Sequence, residues 1–496
     1  MARFAQRLAL PAALAAAALL LGACTAPLGP GYLVNSQEIQ VTFVAEPQPS
    51  LSVSASYQLK NTGNRPLETL EVRLPRGAFQ PLDLRIEWDG EVPLTALSEY
   101  NPRDTTLHFS QPWTMGASHR LQFTYRIGPV APTGDSSSAL AMAADAFYLP
   151  AEGWAPVLPQ ERGLFGFGGV PPAKWQFTVR APADFLVHAS GEQRKSRTPG
   201  QFVFEQKPSD SAPFVVAGRY HLTEFAAGQN GNLHLWTRGD ASVSVLRPAA
   251  NSLRQTIAGY DALLGKRGKS EPPLWIVECP AASGCVSPRL AGYSALLYGQ
   301  DAQRTADMIS PDTLLVLPQS SIENIENSAG PALATAWLGY GRNPGFYEQQ
   351  PPMSALPAFA AALALENSAG PQARSGIVAR ALAQIPASAG AASNSEPAVV
   401  RAKSLLLFYA LRDRAGAQAF QNALRHMLSA RQARGFDVSD LISAIEQETH
   451  QPVGPFVRQW LKRPGVPGEF RAQYAPQLSR SNPQRSATQP MQEVVP

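Results

Sequence analysis

The chain has 496 residues, 16% of them charged and 44% hydrophobic, with a formal net charge of +4. That length supports more than one hydrophobic core. The charges are dispersed, with no basic stripe interleaved with aromatics, so the composition agrees with an exported globular protein and nothing in it demands a nucleic-acid partner.

In chain order, Arg3 and Arg7 precede an apolar run from Leu8 to Leu21 that closes on Leu21-Gly22-Ala23-Cys24. A short hydrophobic stretch after basic residues and before small ones is a secretory signal, too short to cross a bilayer as a helix. The closing residues resemble the lipobox of bacterial lipoproteins, so residues 1–23 read as a signal peptide and 24–35 as a lipidated tether. Cys24 would become the acylated first residue and hold the chain to the membrane without a spanning segment. Thr25, rather than Asp, follows it, which by resemblance to lipoprotein sorting favours the outer membrane, facing the periplasm, over the inner.

From 36 to 225 short alternating runs predict a β-rich domain, among them Leu51 to Leu59, Leu70 to Leu74, His119 to Ile127 and Trp175 to Val179. Beyond Ala249 the period lengthens. Leu253 to Leu264, Ala332 to Leu338, Leu356 to Leu365, Ile377 to Ile385, Ala402 to Leu411 and Phe420 to Leu428 predict amphipathic helices. Leu274 to Val277 and Thr313 to Leu317 predict strands among the earlier helices. The fold class expected is multidomain α+β, with a second domain over 226–475 that is mixed, then helical from about 320. The Ser-, Gln- and Pro-rich tail, 476–496, predicts disorder. Cys279 and Cys285 are close enough in sequence to bridge in an oxidising compartment, and also readable as two free thiols.

Several segments, taken in order, carry a resemblance. They are Phe147-Tyr148 with Trp154-Ala155-Pro156, Ser190-Gly191-Glu192, Pro213 to Tyr220, Lys403 to Gly416, Phe456 to Leu461 and Pro464 to Pro467. Their order resembles the aminopeptidase N family of zinc metallopeptidases, the gluzincins, in a short version covering roughly 36 to 475. The resemblance implies a saddle-like β domain followed by a thermolysin-like domain. It also places the family's H-E-x-x-H helix on Pro331 to Gly339, where two His bind zinc and a Glu activates its water.

Carried over position by position, the chemistry is missing. The zinc His positions fall on Pro331 and Thr335, and the catalytic Glu on Ala332. The third ligand falls on Pro357, or under strict family spacing on Ser354. Arg401 stands where the resemblance expects the transition-state-stabilising Tyr, and Ser294 where it expects the Glu that binds a substrate amine. None of these offers an imidazole or carboxylate. The resemblance further implies a groove in which a peptide adds as an extended strand, with Tyr293, Trp337, Tyr340 and Arg401 as candidate lining residues. Core packing is the competing reading for Trp337.

No other chemistry takes over in the sequence. The seven His have no pair at the spacing a helical metal site needs. Glu323 and Glu326 read as a solvated helix start. Ser283 and Ser294 lack an adjacent His, and Gly163 to Gly169 lacks a nucleotide fingerprint. The expectation is a membrane-tethered pseudopeptidase of the bacterial cell envelope, without cofactor, that binds a peptide or envelope protein. An active zinc peptidase with ligands outside this alignment and a structural scaffold lipoprotein are the alternatives.

Overall fold

The computed structural model describes residues 31–99, 104–128, 141–151, 153–158, 174–206, 213–226, 232–239, 243–266, 273–280, 291–298, 306–310, 313–316, 325–338, 351–385, 396–429 and 436–480. They form two units that divide between Gly218 and Arg219, each with its own apolar core. The protein is α+β, with a β-rich first unit and a second unit that is mixed, then helical.

The first unit is all strand among its described regular elements, apart from one helical turn. A seven-stranded sheet holds β1 (Tyr32–Val44), β2 (Ser50–Asn61), a parallel neighbour at Lys174–Arg180 and an antiparallel one at Ser118–Ile127. The alternation seen in sequence is the reason for the sheet. Leu51, Val53, Ala55, Tyr57 and Leu59 all turn to the core while their neighbours do not. The buried Tyr57 and Tyr125 hydroxyls donate to the carbonyls of Pro156 and Trp154, both at 2.6 Å. Burial raises both phenols above their ordinary pKa, so they stay protonated donors and fix the Trp154-Ala155-Pro156 segment.

The second unit opens with a five-stranded mixed sheet of His221–Ala226, Asn232–Thr237, Leu274–Glu278, Thr313–Val316 and Ala306–Ser310, in that spatial order. The helices are α1 (Val243–Leu264), α2 (Ala291–Tyr298), α3 (Ile325–Leu338), α4 (Pro351–Ser354), α5 (Leu356–Ala369), α6 (Pro371–Ala383), α7 (Pro397–Ala415), α8 (Ala417–Ser429), α9 (Val438–Thr449), α10 (Gly454–Lys462) and α11 (Gly468–Arg480). The central helices are apolar on more than one face. Leu356 to Leu363 of α5 are all buried, as are Ala402 to Leu411 of α7, the pattern of helices with neighbours all round. Phe359 of α5 sits at their centre, stacked on Phe408 and edge-on to Tyr409 and Phe420.

Three boundaries differ from the sequence reading. The strand His221–Ala226, expected in the β-rich domain up to 225, pairs with Asn232–Thr237 in the second unit's sheet. The first strand begins at Tyr32, inside the segment expected to be tether. The last helix runs to Arg480, past the expected start of the tail at 476. An ionic cluster secures that helix just ahead of the expected boundary. Arg374 of α6 donates to Asp413 of α7 at 2.5 Å and to the Tyr474 hydroxyl of α11, and Tyr474 in turn donates to Asp413. Paired charges of this kind tie the final helix to two others, and a composition-based reading of the tail cannot see them.

Phe359→Ala removes the ring around which α5, α7 and α8 pack. It should cost about 3–5 kcal/mol, measured as a lower denaturation midpoint in urea with an unchanged slope.

Candidate functional site

The helix α3 carries the positions on which the resemblance places the zinc motif. Gly330, Pro331, Ala332, Leu333, Ala334 and Thr335 are all buried. Pro331 lies inside the helix, where it has no N–H to give the preceding turn. Gly330 is at a close approach. A Cβ there would stand 2.4 Å from the Tyr298 hydroxyl of α2, and its carbonyl accepts from Tyr260 of α1 at 2.7 Å.

Thr335 is 5% exposed, and its hydroxyl donates to the Ala332 carbonyl at 2.6 Å. The hydroxyl is therefore satisfied within its own helix. Ala332 is 1% exposed and has no polar side-chain atom. At the third-ligand position, Pro357 is buried in the first turn of α5. Ser354 ends α4, its Oγ 3.1 Å from the Tyr293 hydroxyl. Among the described residues no group of three or more His, Cys, Asp or Glu could hold a metal ion.

Tyr293 and Trp337 do not behave as lining residues. Tyr293 is 2% exposed, and burial raises its phenol to about 12 against the opposing effects of Ser354 and Arg401. It stays a neutral hydroxyl in a packed layer rather than a groove wall. Trp337 is half-buried against the core, packed at 5.3 Å on Tyr260 and donating to Asp261 at 3.0 Å. An indole with both its face and its N–H engaged is a packing residue. Both groove assignments are corrected on that ground. Arg401, in the second turn of α7, is half-buried. Ser294 is on α2, while Tyr340, Cys24 and Cys285 lie outside the described residues. Cys279 is fully buried and disulfide-bonded.

The structure thus brings Tyr293 and Ser354 together, where α7 packs on α2 and α4, and α3 packs on α2 and α5. It separates Lys403 from them. That side chain, 6% exposed, points along α7 to donate its ammonium to the carbonyls of Leu461 and Arg463. The cation meets the negative end of α10, while burial lowers its pKa from the ordinary lysine value. Lys403, at the start of one of the segments that carry the resemblance, holds two helices together. No sequence pattern distinguished that role, because its partners are backbone carbonyls about sixty residues away.

The described histidines are engaged with aromatic or acidic neighbours or stand at surface positions. His119 stacks on Trp88 beside Asp89, and His234 stacks on Trp275 with Glu224 at 3.2 Å. His450 caps α9 in the left-handed conformation. Glu323, Ser283 and the Gly163 to Gly169 segment lie outside the described residues.

No protein-family model matches the chain, and no curated protein does. Among solved structures, the M1 zinc metallopeptidase from Deinococcus radiodurans is similar with a TM-score of 0.55 at 16% identity, over 88% of this chain and 96% of that one. A Glu-to-Ala mutant of that metallopeptidase, bound to a Tyr-Ser-Ala substrate, gives 0.55 at 15% over 88% and 96%. At such identities the likeness establishes the fold, which is that of the M1 zinc metallopeptidases, and leaves the chemistry to this chain's own residues. Those residues do not fit zinc. Pro331, Ala332 and Pro357 offer no donor, Thr335 and Ser354 offer neutral hydroxyls already engaged, and a zinc site needs imidazole, thiolate or carboxylate.

The burial of Thr335 leaves little room for a ligand. Thr335→His should destabilise the protein by about 1–3 kcal/mol through overpacking, seen as a lower urea midpoint whether or not zinc is added.

Proposed function

We propose that the protein is a membrane-tethered, catalytically inactive member of this fold, a pseudopeptidase that binds a peptide or protein at the bacterial cell envelope. The observation that carries the reading is the state of α3. Its three motif positions hold no metal donor and no general base, and they are sealed into the helical core. A peptide can still be held without a metal, since extended-strand recognition uses backbone hydrogen bonds.

The lipobox-like Leu21-Gly22-Ala23-Cys24 supports the tether. Strand β1 begins at Tyr32, so seven residues, Thr25 to Gly31, separate the acylated cysteine from the first sheet. Fully extended they reach about 25 Å, which keeps the β-rich unit near the bilayer. No helix among the described residues is long and apolar enough to cross a membrane, so the acyl anchor is the attachment the reading relies on.

Metal analysis of the purified chain should find zinc far below one per molecule, and short peptides should remain intact on incubation. Stoichiometric zinc with chelator-sensitive hydrolysis would establish an active peptidase instead. Installing His, Glu and His at Pro331, Ala332 and Thr335 together should not produce hydrolysis, because Pro357 and Ser354 supply no third ligand. In a bacterial host, labelled palmitate should enter the chain and be lost in Cys24→Ser. Unlabelled wild type would refute the tether.

A further inference from the structure

The four most exposed large apolar side chains among the described residues all belong to one stretch of the β-rich unit. Val92, Leu94, Leu97 and Met115 are 72%, 78%, 76% and 57% exposed, whereas Val44, Leu82, Leu222 and Leu461 reach at most 46%. Single exposed apolar residues are ordinary, but a group of them marks a surface that something covers. Leu94–Leu97 is the outer strand of a three-stranded sheet with Thr105–Trp113 and Leu67–Val72, and every one of its residues is exposed.

The register places this stretch beside the start of β1. Leu94 pairs with His108, and Ser110 donates to Glu91 at 3.2 Å, so Val92 and Leu94 stand about 10–17 Å along the strand from Trp113. The Trp113 ring packs at 6.0 Å on Tyr32, the first residue of β1. The buried Asn61, which pairs with Tyr32, donates to the Trp113 carbonyl at 2.9 Å and accepts from the Gly116 N–H at 2.9 Å. Met115 lies between those two bonds, at the same end. Gly63 ties Gly31 there as well, donating to its carbonyl at 2.7 Å.

We infer that Val92, Leu94 and Met115 dip into the surface of a lipid bilayer and dock the β-rich unit on the membrane. The inference rests on the acylation of Cys24 proposed above, and deepens it by naming the side chains that the anchor brings to the lipid. The seven residues from Thr25 to Gly31 span at most about 25 Å, so the acyl group holds this end of the sheet against the bilayer. Apolar side chains at the boundary of headgroups and acyl chains are withdrawn from water, which stabilises the docked state. The outer edge of Leu94–Leu97 pairs with no further strand among the described residues. That keeps the strand at the wet interface, because bare backbone groups are excluded from hydrocarbon. Strand addition by a second chain is disfavoured by the length of four residues and by Pro93 just before it, both of which blunt a sheet edge.

The test reconstitutes the full lipidated chain in vesicles of phosphatidylethanolamine and phosphatidylglycerol. An environment-sensitive fluorophore is carried on Leu94→Cys, Met115→Cys or Lys195→Cys, with the unsubstituted chain as background. Lys195 is the reference because its hairpin lies toward the far end of β1: Arg194 pairs with Val203, Val203 with Thr178, and Thr178 with Gln40. Nitroxide-bearing lipids should quench the labels at Leu94 and Met115 at least threefold more than the label at Lys195. Adding Val92→Asp to the Met115→Cys chain should at least halve its quenching and leave the melting temperature within about 2 °C, as expected of an exposed position. In an acylated chain, quenching no stronger at Leu94 and Met115 than at Lys195, or unchanged by Val92→Asp, overturns the docking and leaves the tether standing. Energy transfer between copies labelled at Leu94, without lipid quenching, gives the surface to a second chain and overturns the inference too. A chain that incorporates no palmitate removes the tether, and the docking falls with it.

Discussion

Burial of the helix Ile325–Leu338 on every face between Gly330 and Thr335 is the constraint from which the rest of the helical unit follows. A side chain enclosed in this way must be apolar, or must have its polar atoms satisfied within reach. A zinc site meets that demand by ligating the metal. This helix meets it with a proline, an alanine and a threonine whose hydroxyl turns back onto its own backbone. Gly330 then lets the neighbouring tyrosines close in, Tyr260 by a hydrogen bond and Tyr298 by direct approach. A metal would have to displace packed atoms, and nothing in the described helices waits for it.

The fold around that helix is held by interactions that owe nothing to a metal. The helix Pro397–Ala415 is the hub. Its apolar faces bury Leu405, Leu406, Phe408 and Tyr409, Lys403 secures the C-terminal end of Gly454–Lys462, and Asp413 gathers Arg374 and Tyr474. Trp460 returns a hydrogen bond to the Lys403 carbonyl. Charges placed against helix ends and opposite charges stabilise this architecture.

Much of the fold was legible because burial imposes a period. The alternation of Leu51 to Leu59 predicted a strand and appears as Ser50–Asn61. The three-to-four spacing of Ala402 to Leu411 predicted a helix and appears as Pro397–Ala415. The missed boundaries have a common cause. Strand His221–Ala226 alternates like its predecessors, and only its pairing partner decides which sheet it joins. The helices after Ser429 depend on caps and clamps, such as the Asp437–Asp440 box and Glu446 accepting from the start of Gly454–Lys462. At the candidate site, side-chain identity alone shows that Pro331, Ala332 and Thr335 carry neither imidazole nor carboxylate. Tyr293 and Trp337 were misplaced as lining, because an aromatic residue has the same letter whether it faces a ligand or a core.

By itself the sequence determined the α+β class, the succession of strands and helices, and the absence of imidazole and carboxylate from the motif positions. Those are properties of residue type and period, which act locally along the chain. Tertiary structure alone decided that Thr335 is satisfied inside its helix, that Lys403 serves a helix end, and that Tyr293 and Ser354 meet. Whether a polar group has a partner depends on what long-range packing brings within hydrogen-bond distance, and residue order does not encode that distance directly.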